Sequence, residues 1–317
     1  MSVVRRPSRR QRVARGVLSR AALCLAILCA LSTVSWAARA DEPPSRPPLR
    51  WDPAWTHASA WDYSLTGIGL GTLGLETLLL QNRSETPRWI GPILFDTAVR
   101  NALRGSTESA RNNAVLPSWV LWFALVGYPL VVDVPHAWVR YGKDVAWDLF
   151  WQDATALSLS GAVDFALRDS VARLRPWNTD CLNQGGADAT CLNGPEATRS
   201  FPSGHVSETS TATALICTQH LQMHLYGTPW DGVTCTSAIV ADVATAYLRV
   251  VADDHWATDI LGGAVLGVAF GWGVPYVMHL HGHATAGRTY AESPSILIAP
   301  VPIAVSHGGG LGVAAMF

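Results

Sequence analysis

Lysine is almost absent from this chain: of 23 basic residues, only Lys143 is lysine and the rest are arginine. Charge of either sign is scarce, at 15% of residues, and the net charge is −1. An extended basic face for nucleic acid is therefore not expected, and positive charge can act only locally. Long alternation of apolar and polar residues is missing before the C-terminal tail, which argues against an all-β architecture. Cysteine is also sparse. Of six, Cys24 and Cys29 fall in the N-terminal segment, and the other four allow three pairings. Cys181 and Cys191 flank a Gly/Asn/Asp-rich loop, the favoured pair, which would suit an oxidising compartment. Cys217 and Cys235 could bridge a helix and the following loop, unless Cys217 is a buried free thiol.

What is abundant is apolar: 49% of residues are hydrophobic, more than a soluble domain with so little charge usually carries. That points toward a membrane. Residues 1–40 read as a signal peptide: a basic stretch from Arg5 to Arg20, an apolar stretch from Ala21 to Ala37, and Ala38-Arg39-Ala40 as a cleavage site. An uncleaved membrane anchor is the rival, since the apolar run approaches a span. A Pro-rich linker (41–60), a helical domain (61–284) and a tail (285–317) follow. Apolar helices are expected at Trp61–Gln81, Ser118–Val134, Ala146–Arg168, His205–Leu221, Ser237–Val250 and Thr258–His279, with a shorter one at Arg88–Leu103. The fold class is thus all-α, a bundle of about six major helices with a short C-terminal β-hairpin over Ser295–Phe317. Gly263, Gly267 and Gly271 recur every four residues and would permit close helix contact. Asp148, Asp153, Asp164, Glu208 and Asp242 suit a bundle interior better than a lipid-facing surface. His279, His281 and His283 alternate; they read as a polar exit from the last helix rather than a metal site, since no carboxylate or cysteine cluster joins them.

Three short blocks carry chemistry. In Arg168-x6-Arg175-Pro176 the two arginines are about two helical turns apart and could share one face before Pro176 stops the helix. Arg173 falls off that face and is expected in solvent. Guanidinium forks bind phosphate in any protonation range of interest. Pro202-Ser203-Gly204-His205 stands just before a helical run, where Ser203 and Gly204 could offer N–H groups to an anion and Gly204 could let it approach closely. In Leu248-Arg249-x5-His255-x3-Asp259, His255 and Asp259 are spaced i and i+4. The carboxylate could take the Nδ1 proton and leave Nε2 as a nucleophile. Taken singly, each block also has an ordinary structural explanation: a helix-end charge, a capping histidine, a His–Asp helix pair.

Together, in this order, the blocks resemble the type 2 phosphatidic acid phosphatase/haloperoxidase superfamily, whose pattern is Lys-x6-Arg-Pro, Pro-Ser-Gly-His and Ser-Arg-x5-His-x3-Asp. The likeness runs from about Asp148 to Gly271. Arg168 replaces the family lysine and Leu248 the family serine. The resemblance implies metal-free, two-step phosphoryl transfer. His255 is the nucleophile, Asp259 orients it, and His205 protonates the leaving oxygen. Arg168, Arg175, Ser203, Gly204 and Arg249 hold the phosphoryl group, with no metal and no organic cofactor.

The expected substrate is a phosphorylated lipid at a membrane, either a monoester or a diphosphate, and nucleic acid is not a partner. A periplasmic acid phosphatase acting on small soluble esters is the nearest alternative. Vanadate would inhibit such an enzyme, or serve as cofactor if the protein were instead a haloperoxidase. A non-catalytic lipid-binding envelope protein is the remaining option. The expected location is the bacterial cell envelope, exported or inner-membrane-associated, with the site facing the periplasm and the number of spans left open.

Overall fold

The computed structural model describes residues 55–80, 86–183, 196–280, 297–305 and 308–316. The expected signal peptide and most of the Pro-rich linker lie outside the described residues, as do His281, His283 and Cys191. The described helices are α1 Ala60–Leu75, α2 Asp96–Leu103, α3 Glu108–Tyr128, α4 Val134–Tyr141, α5 Lys143–Val171, α6 Pro176–Asn183, α7 Gly204–Met223, α8 Trp230–Val251 and α9 Ala257–Pro275. Wider π-helical turns continue α1 to Leu80, α3 to Asp133 and α9 to Leu280. The protein is mostly helical.

Local chemistry starts and stops these helices. The Ser59 hydroxyl accepts from Trp61 N–H while Asp62 accepts from Ser59 N–H at 2.8 Å, so two orphan donors at the head of α1 are satisfied. Thr107 caps α3 through Ala110 N–H at 3.1 Å. α5 ends where Ala172 turns left-handed at φ 44°, not at Pro176 as expected. Pro176 instead opens α6, a place that suits proline because the first helical N–H has no intrahelical acceptor. The helix expected at Arg88–Leu103 begins only at Asp96. Arg88 lies in a bend, and Trp89 bridges to Arg173. α4 and α6 were not anticipated.

α7 is the centre of the bundle, packed by α9, α8, α5 and α3 and buried along most of its length. The glycine stripe on α9 explains how close α9 comes. A Cβ on Gly263, Gly267 or Gly271 would overlap the carbonyl oxygens of Ser203, Ser207 and Thr211 respectively. Backbone therefore packs on backbone, and the head of α9 is brought beside the head of α7.

The interior is unusually polar. Thr211 Oγ1 donates to Ser160 Oγ at 2.7 Å, Gln219 bridges to Asp153, and Asp242 accepts from Thr209 and Ser210. Asp148, Asp153 and Asp164 are buried, as expected of interior charges. Outward faces run the other way: Val120 and Phe123 on α3, Val243 and Tyr247 on α8, and Val265 and Val268 on α9 are all exposed. Three helical stretches, Glu108–Tyr141, Trp230–Val251 and Ala257–Leu280, are long and apolar enough to cross a membrane.

Cys217 and Cys235 form a disulfide joining α7 to α8, with Cα atoms 4.6 Å apart. Cys181 is also disulfide-bonded.

Candidate active site

The site forms where the end of α5, the head of α7 and the α8–α9 turn meet, with α3 alongside. Beyond Ala172 the chain is held extended on both edges. Leu174 N–H donates to Trp89 O at 2.9 Å, Arg175 N–H to Ala197 O at 2.9 Å, and Ser200 N–H to Arg173 O at 3.0 Å. Arg173 and Arg175, two residues apart, nonetheless reach different partners. Arg175 turns to the cradle, where Nη2 donates to Glu196 at 2.6 Å and Nη1 lies 3.5 Å from Asp254.

Arg173 corrects the expectation of a solvated side chain. It is fully buried, stacks 3.9 Å above the Trp89 ring, and donates to Asp96, Asp259, Thr258 Oγ1 and the Gly91 carbonyl. Its work is to hold the floor of the site together. Arg168 and Arg175 do not share a helix face either, because Arg175 is no longer helical. Arg168 sits in the last turn of α5, Nε 2.8 Å from Asp164, with its guanidinium carbon close against Gly204. What fills the space above Gly204 is thus this arginine and the Asp164 carboxylate. Arg249, near the end of α8, pairs with Asp254 at 2.9 Å and donates to Ser118 Oγ on α3 at 3.3 Å.

Ser203 differs from expectation in its donor atom. Its N–H is engaged by the Asp259 carbonyl at 3.0 Å, tying α7 to α9, whereas its buried Oγ has no partner. The hydroxyl is therefore the group left to meet an anion. Gly204 opens α7, where a first-turn N–H has no intrahelical acceptor.

His205 presents a buried Nε2 with no hydrogen-bond partner, its ring edge-on to Trp119 with centroids 4.2 Å apart. Burial, then the positive charges of Arg249, Arg175 and Arg168, push its pKa down to about 2. His255 is buried too. Burial, Arg175 and Arg249 hold it well below its ordinary 6.5, and His205 adds to the effect. Each imidazole feels the other's neighbourhood of guanidinium charge, so the two histidines and the arginines occupy one region. Burial and the guanidinium charges thus favour the neutral form of both rings.

The Nδ1 of His255 donates to the Ser200 carbonyl at 2.8 Å. A carbonyl can only accept, so Nδ1 carries the proton and Nε2 the lone pair. The carboxylate expected in that position, Asp259, stands 3.9 Å from Nδ1. Asp259 instead accepts from Ser200 Oγ, Trp256 N–H at 2.8 Å and Arg173. It fixes the Ser200 loop, and that loop fixes the imidazole.

Residues 150–282 match the model of the PAP2 superfamily. Over this stretch the chain is similar to that superfamily. A lipid A 1-phosphatase of Porphyromonas gingivalis is 32% identical over 147 residues, 45% of this chain and 27% of the relative. This chain thus spans about a quarter of that protein's length. A transmembrane PAP2-type phosphatidylglycerolphosphate phosphatase from Bacillus subtilis aligns in structure with a TM-score of 0.45 at 18% identity, covering 72% of this chain and 98% of that one.

The PAP2 match begins at residue 150, so five contributors lie outside it: Trp89, Gly91, Asp96, Ser118 and Trp119. Sequence spacing had no means of finding them. Ser200, Glu196 and Asp254 lie inside the match and went unassigned, although Ser200 opens the Ser-Phe-Pro-Ser-Gly-His run. A serine whose carbonyl does the work leaves no side-chain signature.

Proposed function

We propose that this protein is a phosphoric-ester hydrolase that cleaves lipid phosphates, monoesters or diphosphates, through a phosphohistidine on His255 and without metal. One observation carries it: Arg168, Arg175 and Arg249, from three separate segments, act on His205, and Arg175 and Arg249 act also on the buried His255. Arginine forks suit the equatorial oxygens of a transferring phosphoryl group, whose negative charge must be stabilised in place.

In the first step His255 Nε2 attacks phosphorus, an N–P bond forms and the ester P–O bond breaks. His205, protonated in the complex because a phosphoryl dianion offsets the arginine field, gives its proton to the departing oxygen. In the second step water attacks phosphorus, His205 takes its proton, and the N–P bond breaks to release inorganic phosphate. Arg168, Arg175 and Arg249 hold the oxygens with Ser203 and Gly204. Asp259 acts through Ser200.

The lipid preference rests on where the acid stands. The leaving group must touch His205, and His205 lies against Trp119, beside which Leu116, Val120 and Phe123 are exposed on α3. An apolar alcohol would find apolar neighbours there. The lipid A 1-phosphatase relative supports the same substrate class. The proposal includes a bacterial envelope location with the site facing the periplasm, residues 1–40 as its targeting segment, and a C-terminal hairpin closing the bundle.

Phosphate release should be measured from a detergent-dispersed lipid phosphate and a small aryl phosphate, with chelator present and with a His255→Ala control. Faster turnover of the lipid, abolished in the control, supports the proposal. Full activity of His255→Ala overturns the mechanism. Equal use of both substrates favours an acid phosphatase of soluble esters. Halide oxidation appearing only with vanadate and peroxide would instead make the protein a haloperoxidase.

A further inference from the structure

The anion cradle already contains a carboxylate that the mechanism does not use. Glu196 Oε2 takes Arg175 Nη2 at 2.6 Å, and Oε1 lies 3.9 Å from Arg199. Burial alone would raise its carboxyl. The fields of Arg175, Arg168, Arg199 and Arg249 outweigh burial and hold it below its ordinary 4.5. Three of those four are the guanidinium groups proposed to grip the phosphoryl oxygens.

Asp254 makes an instructive contrast. It also faces Arg175 and Arg249, but its side chain is only 17% exposed, whereas that of Glu196 is 57% exposed. Asp254 is a fixed brace for the two arginines. Glu196 reaches the cradle from an exposed position and can leave it at small cost, because a half-exposed ion pair contributes little. A phosphoryl group that is to use both terminal nitrogens of Arg175 must first take Nη2 from it.

Resting on the phosphatase reading of this same site, we propose that Glu196 is a resident anion: it holds Arg175 before substrate binds, yields to the substrate's phosphoryl group, and competes with inorganic phosphate for the cradle after hydrolysis. The device favours ligands of higher charge, since a phosphomonoester dianion or a diphosphate displaces a carboxylate more readily than a diester monoanion does. It also speeds product release.

Inhibition by inorganic phosphate and binding of orthovanadate should be measured on the full-length, detergent-solubilised protein, for wild type, Glu196→Gln and Glu196→Asp. Glu196→Gln should bind phosphate about fivefold more tightly, the size expected on removing one half-exposed ionic competitor. KM for a small aryl phosphate should fall with it. Glu196→Asp keeps the charge but is too short for Nη2, so it should shift the same way, and it carries the test if the glutamine variant does not fold. An unchanged phosphate affinity in both variants overturns the inference. So does an aspartate variant that behaves as wild type beside a tightened glutamine variant, since that outcome means distant repulsion rather than occupation. A wild-type protein that neither turns over aryl phosphate nor binds orthovanadate overturns the phosphatase proposal itself, a result separable from the other two.

Discussion

His255 donates its Nδ1 proton to the backbone carbonyl of Ser200, and Ser200 in turn gives its hydroxyl proton to Asp259. The imidazole is thus oriented by main chain, and the carboxylate acts one link further back. A carbonyl fixes the tautomer without adding a negative charge, so less of the imidazolium's stabilisation depends on Asp259 than in an arrangement of direct contact.

That relationship separates two substitutions. His255→Ala should lower kcat by more than about 10³-fold, because the proposed nucleophile is gone. Asp259→Asn should lower it by less than about 10²-fold, with much of the loss traced to a displaced Ser200 loop. Ser200→Ala keeps the carbonyl and removes the hydroxyl, and should fall in the same milder range. Steady-state kinetics on all three, with thermal midpoints in the same detergent, checks the ordering.

Arg173 should be far more sensitive than its lack of substrate contact suggests. It is wholly buried between Asp96 and Asp259, and removing one partner of a buried ion pair costs about 3–5 kcal/mol by leaving charge uncompensated. Arg173→Met should lower the unfolding midpoint steeply or prevent folding. Arg173→Lys should be only partly restorative, since a single ammonium cannot replace a fork that reaches four acceptors. Thermal or denaturant unfolding in detergent reads both.

Two glycine substitutions should move stability in opposite directions. Gly267→Ala puts a methyl group into the Ser207 carbonyl across the α7–α9 contact, and overpacking of this kind costs about 1–3 kcal/mol. Gly71→Ala on α1 meets nothing within 4 Å and should be neutral or stabilising by up to about 1 kcal/mol through helix propensity. The comparison isolates steric contact from the general effect of removing a glycine.

The histidines make stability and activity depend on pH in a defined sense. Both have folded-state values below the ordinary 6.5. As pH falls below 6.5, the unfolded chain gains protons that the folded chain refuses, so stability is present above that pH and is lost on acidification. The slope approaches about 1.4 kcal/mol per pH unit for each histidine. Inorganic phosphate should reduce that loss by favouring protonated His205. Activity should persist to pH values well below 6.5, since His255, the proposed nucleophile, stays neutral there. It should decline on the alkaline side as His205 loses its proton in the complex. Thermal midpoints with and without phosphate, and a kcat profile, test the two halves.

Much of this was legible beforehand where the information is local. The three motif blocks, the helical course of the chain and the Gly263–Gly267–Gly271 contact all depend on short spacings, and short spacings survive in a linear string. The stop of α5 did not, because Ala172 adopts a left-handed turn that no propensity of alanine announces. Arg173 was misplaced for a related reason. Extrapolating helix periodicity past residue 171 sent it to solvent, and the carboxylates that claim it come from 77 residues upstream and 86 downstream. Trp119, Ser118 and Asp96 belong to elements whose chemistry is invisible until folding brings them to the site.

The Trp89–Arg173 bridge has a practical corollary for anyone shortening this protein. A fragment begun at residue 150 would retain every signature side chain and would look, by inheritance, complete. It would lack the indole under Arg173, the carboxylate of Asp96 and the serine that steadies Arg249. Ancestry here is recorded in a shorter stretch than the one that must assemble for the chemistry to stand.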